Sequence, residues 1–362
     1  MKLPVDRFCM VVGALLVSGA CLALPASQFV LPVPAPKPAP GPATTPTTPA
    51  TTIPAWTPPA YPQRVSMRSI KPSVQLQGDQ NESVSLSNSP TDYKIHTALN
   101  VNDGVVVDLG AGARLFCLPE PGAKTTKISL DGWITTHGSL DKPAFIGAYS
   151  GRVDWEMSAG AVRGINTVFK DVDFNCRGGM MDFQNCLFVN CTIAIDGSTG
   201  GQLDMTSCTF NVGAGKTAIT VVRSVRGPIC HWREVKFDGY AVAIQVDAYD
   251  AAMARTVPWD LNDLEFVNIS GKAVTDSDPM PLVIGHAYIM GAKSTKEAMD
   301  QWVELKPPTN NMTGTPAVTL QNVSPTEINQ AGTKIVDPTA NKGQSGGDGG
   351  GGKAGAPADD DG

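Results

Sequence analysis

The 362-residue chain lacks a long apolar run, an excess of basic residues, zinc-spaced cysteines and, outside one short stretch, any segment that reads as helix. The apolar run Phe8–Val17 is too short to span a bilayer, so no transmembrane segment is expected. A formal net charge of −6, with Lys and Arg scattered, gives no electrostatic footprint for nucleic acid. No Cys-x-x-Cys pair occurs, and the four histidines (His96, His137, His231 and His286) are dispersed, so neither a metal set nor a cofactor is expected. Only Ser294–Glu304 has helical character, opening on Ser294 with Glu297 at capping-box spacing.

The two ends differ in composition from the middle. Residues 1–20 have the form of an export signal: Lys2 and Arg7, the apolar run, then Ser18, Gly19 and Ala20. Cleavage before Cys21 would suit a lipoprotein. Ser18 stands where that signal carries leucine, however, so release rather than a lipid anchor at Cys21 is expected. Residues 21–64 alternate proline with Ala, Thr and Val, which favours extended polyproline II. At ~3.1 Å per residue, Leu31–Tyr61 would reach on the order of 90 Å. Residues 339–362 form a Gly/Asp-rich tail with too little apolar content to fold. Between these ends lie 65–104, read as an N-terminal cap with first strands, and 105–338, a repetitive body with its own C-terminal cap.

The repeat is the informative feature. Five segments share the pattern apolar-x-x-apolar-x-Phe. They begin at Phe169, Phe183, Met205, Trp232 and Leu261, and successive copies are 14, 22, 27 and 29 residues apart. The residue before the central apolar position is Asp171, Asn185, Ser207, Glu234 or Asp263, which is turn chemistry. A second polar cluster follows each Phe, and then alternating strands such as Ile193–Asp196, Ile219–Val221 and Ile244–Asp247. One such coil cannot bury its own apolar face, whereas coils stacked in parallel enclose a continuous core. Val172, Cys186, Cys208, Val235 and Leu264 should then form one internal ladder, and Phe174, Phe188, Phe210, Phe237 and Phe266 another. The 14-residue interval is too short for a full coil, so one of the first two copies should sit on a different side. An antiparallel sandwich would need more hairpin dipeptides than Asp103-Gly104, Asp131-Gly132, Asp196-Gly197 and Asp238-Gly239 supply.

With these copies, and with Lys127–Gly147 laid out as strand, Gly turn, strand and a third strand introduced by proline, the chain resembles the right-handed parallel β-helix, or pectin-lyase-like, proteins. The resemblance covers roughly residues 100–330 and implies an all-β solenoid of about eight or nine coils, on the order of 40 Å long. It also implies a side chain array suited to polysaccharide. The family's paired-Asp hydrolase motifs are absent, as are the calcium-binding Asp cluster and arginine motif of its lyases. Arg223 to Pro228 has the lyase residue types at the wrong spacing.

Fold does not fix chemistry, so the site is argued from register. Asp196 and Asp247 fall at one position two coils apart, with Val222 between them. Two rungs separate them by ~9.6 Å, near the upper limit for an inverting acid and base. The alternative is that both cap strand ends at solvated turns. Thr220 and Gln245 line the neighbouring outward column and are the binding candidates. His231, beside Cys230 and Trp232, reads as a hydrogen-bonded residue at a turn rather than a nucleophile's partner. Of the six cysteines beyond residue 64, Cys176 and Cys191 form the more plausible disulfide, while stacked Cys186 and Cys208 suit packed thiols. The expected function is an exported, non-catalytic binding module for polysaccharide or a surface protein. A carbohydrate-active lyase or hydrolase and a structural envelope component are the other readings.

Overall fold

The computed structural model describes residues 68–69, 76–87, 92–224, 227–248, 259–308, 314–325, 332–335, 337 and 339. The export signal, Cys21, the proline-rich linker and residues 340–362 lie outside them. The described chain is nearly all β, a parallel solenoid of about eight turns with one helix.

Each turn contributes to three parallel sheets, and in later turns one strand, such as Ile229–Asp238, runs through both the second and the third. In one turn the three strands are Thr125–Leu130, Trp133–His137 and Ala144–Ala148. The next turn lays Arg152–Met157, Ala161–Ile165 and Thr167–Lys170 on them, pairing Ile128 with Trp155, Ile134 with Val162 and Ile146 with Phe169. Alternation along each strand sends every second side chain inward. The first sheet therefore carries the inner ladder Ile128, Trp155, Phe174, Ile193, Ile219, Ile244 and Val274.

The corners explain which residues the repeat conserves in type. Between the second and third sheets the chain turns on a single residue with positive φ: Asn166, Asn185, Ser207, Glu234 and Asp263, all between +48° and +55°. The third sheet returns to the first through Asp171, Asn190, Val212 and Asn268, again at positive φ. Asn and Asp tolerate this conformation, and their side chains bond along the stack. Asn185 Nδ2 donates to Asn166 Oδ1 at 2.5 Å, and Asn166 Nδ2 to the Gly138 carbonyl at 2.9 Å. The corner before the second sheet is tighter. At Gly179 a Cβ would lie 2.1 Å from the Gly160 carbonyl of the turn below.

The third sheet holds a ladder of Phe169, Phe188, Phe210, Phe237 and Phe266, stacked nearly parallel with successive ring centroids 5.3, 4.4, 5.2 and 5.6 Å apart. Its first member is Phe169, not the expected Phe174. Val172 and Phe174 instead pair with Val153 and Trp155 in the first sheet, so the motif copy beginning at Phe169 is out of phase. The in-phase copy is Gly164 to Phe169, with Thr167 at the position that Cys186, Cys208, Val235 and Leu264 occupy in later turns. Gly164 stands opposite Phe183, and a Cβ there would press on Cys186 Sγ and the Phe183 ring at 3.1 Å. Buried Thr167 is satisfied by the Ile165 carbonyl at 2.9 Å and the Thr136 hydroxyl at 2.5 Å. Packing against large neighbours thus explains why this copy carries glycine and threonine.

The helix spans Thr295–Trp302, capped by Ser294, which accepts from the Glu297 backbone N–H at 3.2 Å. It stops two residues before the expected Glu304 because β-branched Val303 pairs with Val274 and starts a strand. The C-terminal segment then returns along the outside of the third sheet. Gly332 N donates to the Glu234 carbonyl, Thr333 N to Thr209 Oγ1 and Lys334 N to Asn185 Oδ1, each at 2.9 Å. Ile335 is buried with Phe145, Val168 and Leu187, and Lys170 Nζ reaches Asp337 at 3.3 Å and Thr339 at 3.0 Å. This segment covers an outward apolar column that the strands leave bare.

Candidate functional site

Two outward columns of the first sheet line a groove of about 500 Å³. One column runs Ser129, Glu156, Asn175, Ala194, Thr220 and Gln245. The other lies at the strand ends, where Asp196 stands opposite Val222 and Val222 opposite Asp247. Asp131, Arg177, Asp196 and Thr220 face the groove, whereas Gln245 and Asp247 lie one turn beyond its lining. Stacked strands repeat at ~4.8 Å, so these polar groups are presented at even steps.

The acids are held by their own surroundings. Asp196 Oδ1 accepts from the Ser198 backbone N–H at 2.9 Å and caps the short 3-10 turn Gly197–Thr199. Asp247 accepts from Gln245 Nε2 and from Ser277 Oγ, both at 2.8 Å. Each carboxylate is tied to its own corner, with apolar Val222 between them, which is the geometry of strand-end caps. Gln245 is likewise engaged with Asp247.

The exposed Arg177 makes no ion pair among the described residues, although Asp131, Glu156 and Asp196 line the same groove. Glu156 is shared with Lys127 at 2.7 Å. Asp131 also borders a second hollow of about 480 Å³ at the corner, with Asp103, Met180 and Trp133, whose residue is 37% exposed. Sequence reasoning missed Arg177 and Trp133. The Asn175-Cys176-Arg177 stretch carried a signal only once its register was known, because Arg177 directly follows the inward Cys176 that pairs with Ile195.

All six cysteines described are buried free thiols. Cys176 lies at the end of its strand, donating to the Gly178 carbonyl at 2.6 Å. Cys191 sits ahead of the next strand, opposite Val172, with the Phe169 and Val189 carbonyls each at 3.3 Å. Four residues of strand, ~13 Å, therefore separate the two along the sheet, too far for a bridge. Burial pushes the Cys117 and Cys191 thiols up to about 12 and that of Cys176 up to about 11, which makes all three poor nucleophiles.

Three of the four histidines have an acidic neighbour. His137 Nε2 lies 3.0 Å from Asp108, His231 Nδ1 2.9 Å from Asp204 and His286 Nδ1 3.1 Å from Asp263, each aspartate on a neighbouring turn. His231 lies within the strand Ile229–Asp238 rather than at a turn and points outward, while Cys230 and Trp232 are buried within. His286 has a second partner, Ser324 Oγ at 3.0 Å from Nε2.

A buried polar cluster lies near the last turns. Asp276, fully enclosed, occupies the inner position held by Val246 one turn below. Burial drives its carboxyl up to about 7, Asp278 and Asp247 add to the effect, and the Asp278 backbone N–H and Arg223 oppose it. Arg223 in turn stacks on Trp259 at 4.1 Å and reaches Asp278 at 3.3 Å. Because Asp276 is enclosed, its place is in the core rather than at a ligand.

Among the described residues no helix is long and apolar enough to cross a membrane, and no group of His, Cys, Asp and Glu is arranged to hold a metal ion. No family model, curated protein or solved structure matches the chain.

Proposed function

We propose that the chain is exported through residues 1–20 and acts as a binding module, with the first sheet presented to a polysaccharide and the proline-rich segment serving as spacer. The pectin-lyase-like, right-handed form of the solenoid belongs to the same reading. The observation that carries it is the groove containing unpaired Arg177 beside Asp131, Asp196 and Thr220, continuous through Asp131 with the hollow at Trp133. A hydroxyl-rich ligand needs donors and acceptors in alternation plus an apolar platform for its ring faces. The guanidinium fork, the carboxylates and the indole supply these. Asp196 and Asp247, each engaged in its own corner, favour binding over hydrolysis in the groove.

A glycan array with the full exported chain tests the proposal. Binding of at least one polysaccharide is expected, weakened about tenfold by Arg177→Ala or Trp133→Ala, which corresponds to about 1.4 kcal/mol. Binding that both variants retain, or binding confined to a protein partner, would count against it. Released reducing ends would instead favour a carbohydrate-active enzyme, and an array with no binder a structural envelope role.

A further inference from the structure

The geometry points to a second site, separate from the groove, in which Ser324, His286 and Asp263 form a serine-nucleophile centre acting on esters. Turn stacking creates it. Asp263 is the positive-φ corner residue of one turn, and its register partner on the next is His286, because Leu264 pairs with Ala287. Ser324 lies on the turn after that, opposite Tyr288. The ionised carboxylate of Asp263 can only accept, so the imidazole N–H lies on Nδ1, 3.1 Å away. Nε2 is then an acceptor, and the Ser324 hydroxyl at 3.0 Å donates to it. Nucleophile to base and base to orienting acid are the two contacts by which such a centre is recognised, whatever the fold.

Stacking alone accounts for the Asp–His half, since His137 and His231 also have aspartates on neighbouring turns. It does not account for the hydroxyl on the other ring nitrogen, which His231 lacks among the described residues. The centre is reachable: the His286 side chain is 28% exposed and that of Asp263 38%. The Tyr288 ring packs against the imidazole with centroids 4.3 Å apart and forms one wall. Asn322, two residues before Ser324 on the same face, spends its amide on a long 3.3 Å bond to the Gly285 carbonyl, leaving an N–H for a developing oxyanion.

In the reaction, Ser324 Oγ bonds to the ester carbonyl carbon while its proton passes to His286 Nε2. The ester C–O bond breaks, His286 returns the proton to the leaving alkoxide, and the acyl group stays on Ser324. Water then attacks that acyl group, giving up a proton to His286, which returns it to Ser324 Oγ as the carboxylic acid departs. The Asp263 carboxylate at the site disfavours anionic substrates, so the substrate class is an uncharged ester, such as an O-acyl substituent on a hydroxyl-rich polymer.

The test is labelling of the folded full chain with a fluorophosphonate probe, mapped by peptide mass spectrometry, together with hydrolysis of p-nitrophenyl acetate. The label is expected on Ser324, with both readouts lost in Ser324→Ala and slowed at least ~100-fold in His286→Ala. Asp263→Asn, which tolerates the same corner conformation, should lower the labelling rate. Mapping on the unmodified chain decides the matter even if a variant fails to fold. An unlabelled Ser324, or hydrolysis unchanged in Ser324→Ala, overturns the inference.

Discussion

Asp276→Asn should gain stability relative to the parent as the pH rises from 4 to 8 and should be the more stable of the two at pH 8. Asp276 is fully enclosed, and its Oδ2 has no hydrogen-bond partner among the described residues. Its carboxyl is raised from 3.8 to about 7 by burial and by Asp278 and Asp247, against the Asp278 backbone N–H and Arg223. Between those two values the folded chain holds a proton that the unfolded chain has released. The associated stability is therefore fully present below pH 3.8 and is lost as the pH rises through 7. At about 1.36 kcal/mol per pH unit, the loss approaches on the order of 4 kcal/mol. Asparagine keeps the shape and the Oδ1 that accepts from the Asp278 backbone N–H at 2.8 Å, but has no charge to bury. Its amide hydrogens add a constant desolvation cost of about 1–3 kcal/mol, which shifts the whole curve without changing its slope. Urea unfolding of both chains from pH 4 to pH 8, followed by circular dichroism, measures the difference directly. Carboxylates remote from Asp276 cancel in that difference. A gap between variant and parent that does not grow with pH, or that grows in the parent's favour, would refute the reasoning.

Three further expectations follow from packing. Phe188→Ala, at the centre of the stacked phenylalanines, should lower unfolding free energy by about 3–5 kcal/mol, read as a lower denaturant midpoint at similar slope. Ile335→Ala should cost about 2 kcal/mol, near the low end for a buried aliphatic side chain, and raise binding of an apolar dye as Phe145, Val168 and Leu187 lose cover. Cys117, Cys176, Cys186, Cys191, Cys208 and Cys230 should resist alkylation in the native chain and all react after denaturation without reductant; a Cys176–Cys191 peptide pair in mass spectrometry would contradict the register.

The solenoid was legible because its periodicity rests on chemistry that no other fold requires at those positions. A corner at positive φ favours Asn and Asp, although Ser207, Glu234 and Val212 also adopt it, and the phenylalanine two residues after the next core position marks the third sheet. The first copy was read out of phase because Gly164 and Thr167 took apolar positions where neighbouring rings left little volume. Periodicity encodes which way a side chain points but not how much room it finds. The outward column at Asp196, Thr220, Gln245 and Asp247 could be derived from strand alternation alone. The engagement of those side chains could not, because Ser198 and Ser277 reach them from corners whose conformation depends on turn length.

Turn length also explains why the histidine partners were invisible. In a solenoid the spatial neighbour of a residue lies one turn away, and the turns here are unequal. Met157 and its partner Cys176 are 19 residues apart, whereas Val246 and Asp276 are 30 apart. A fixed period brings no aspartate opposite His231 or His286; the 27-residue step between the copies at Met205 and Trp232 aligns Asp204 with His231, but His286 follows the last copy and has no such guide. Once the register is known, the same arithmetic sets Asp204 beside His231 and Asp263 beside His286. Variable turns thus let the outer surface change from rung to rung while the inner ladders stay in line. The main core lies at the inward positions, and outward ones not covered by the C-terminal segment assemble a groove on one sheet and an Asp–His–Ser contact at another corner.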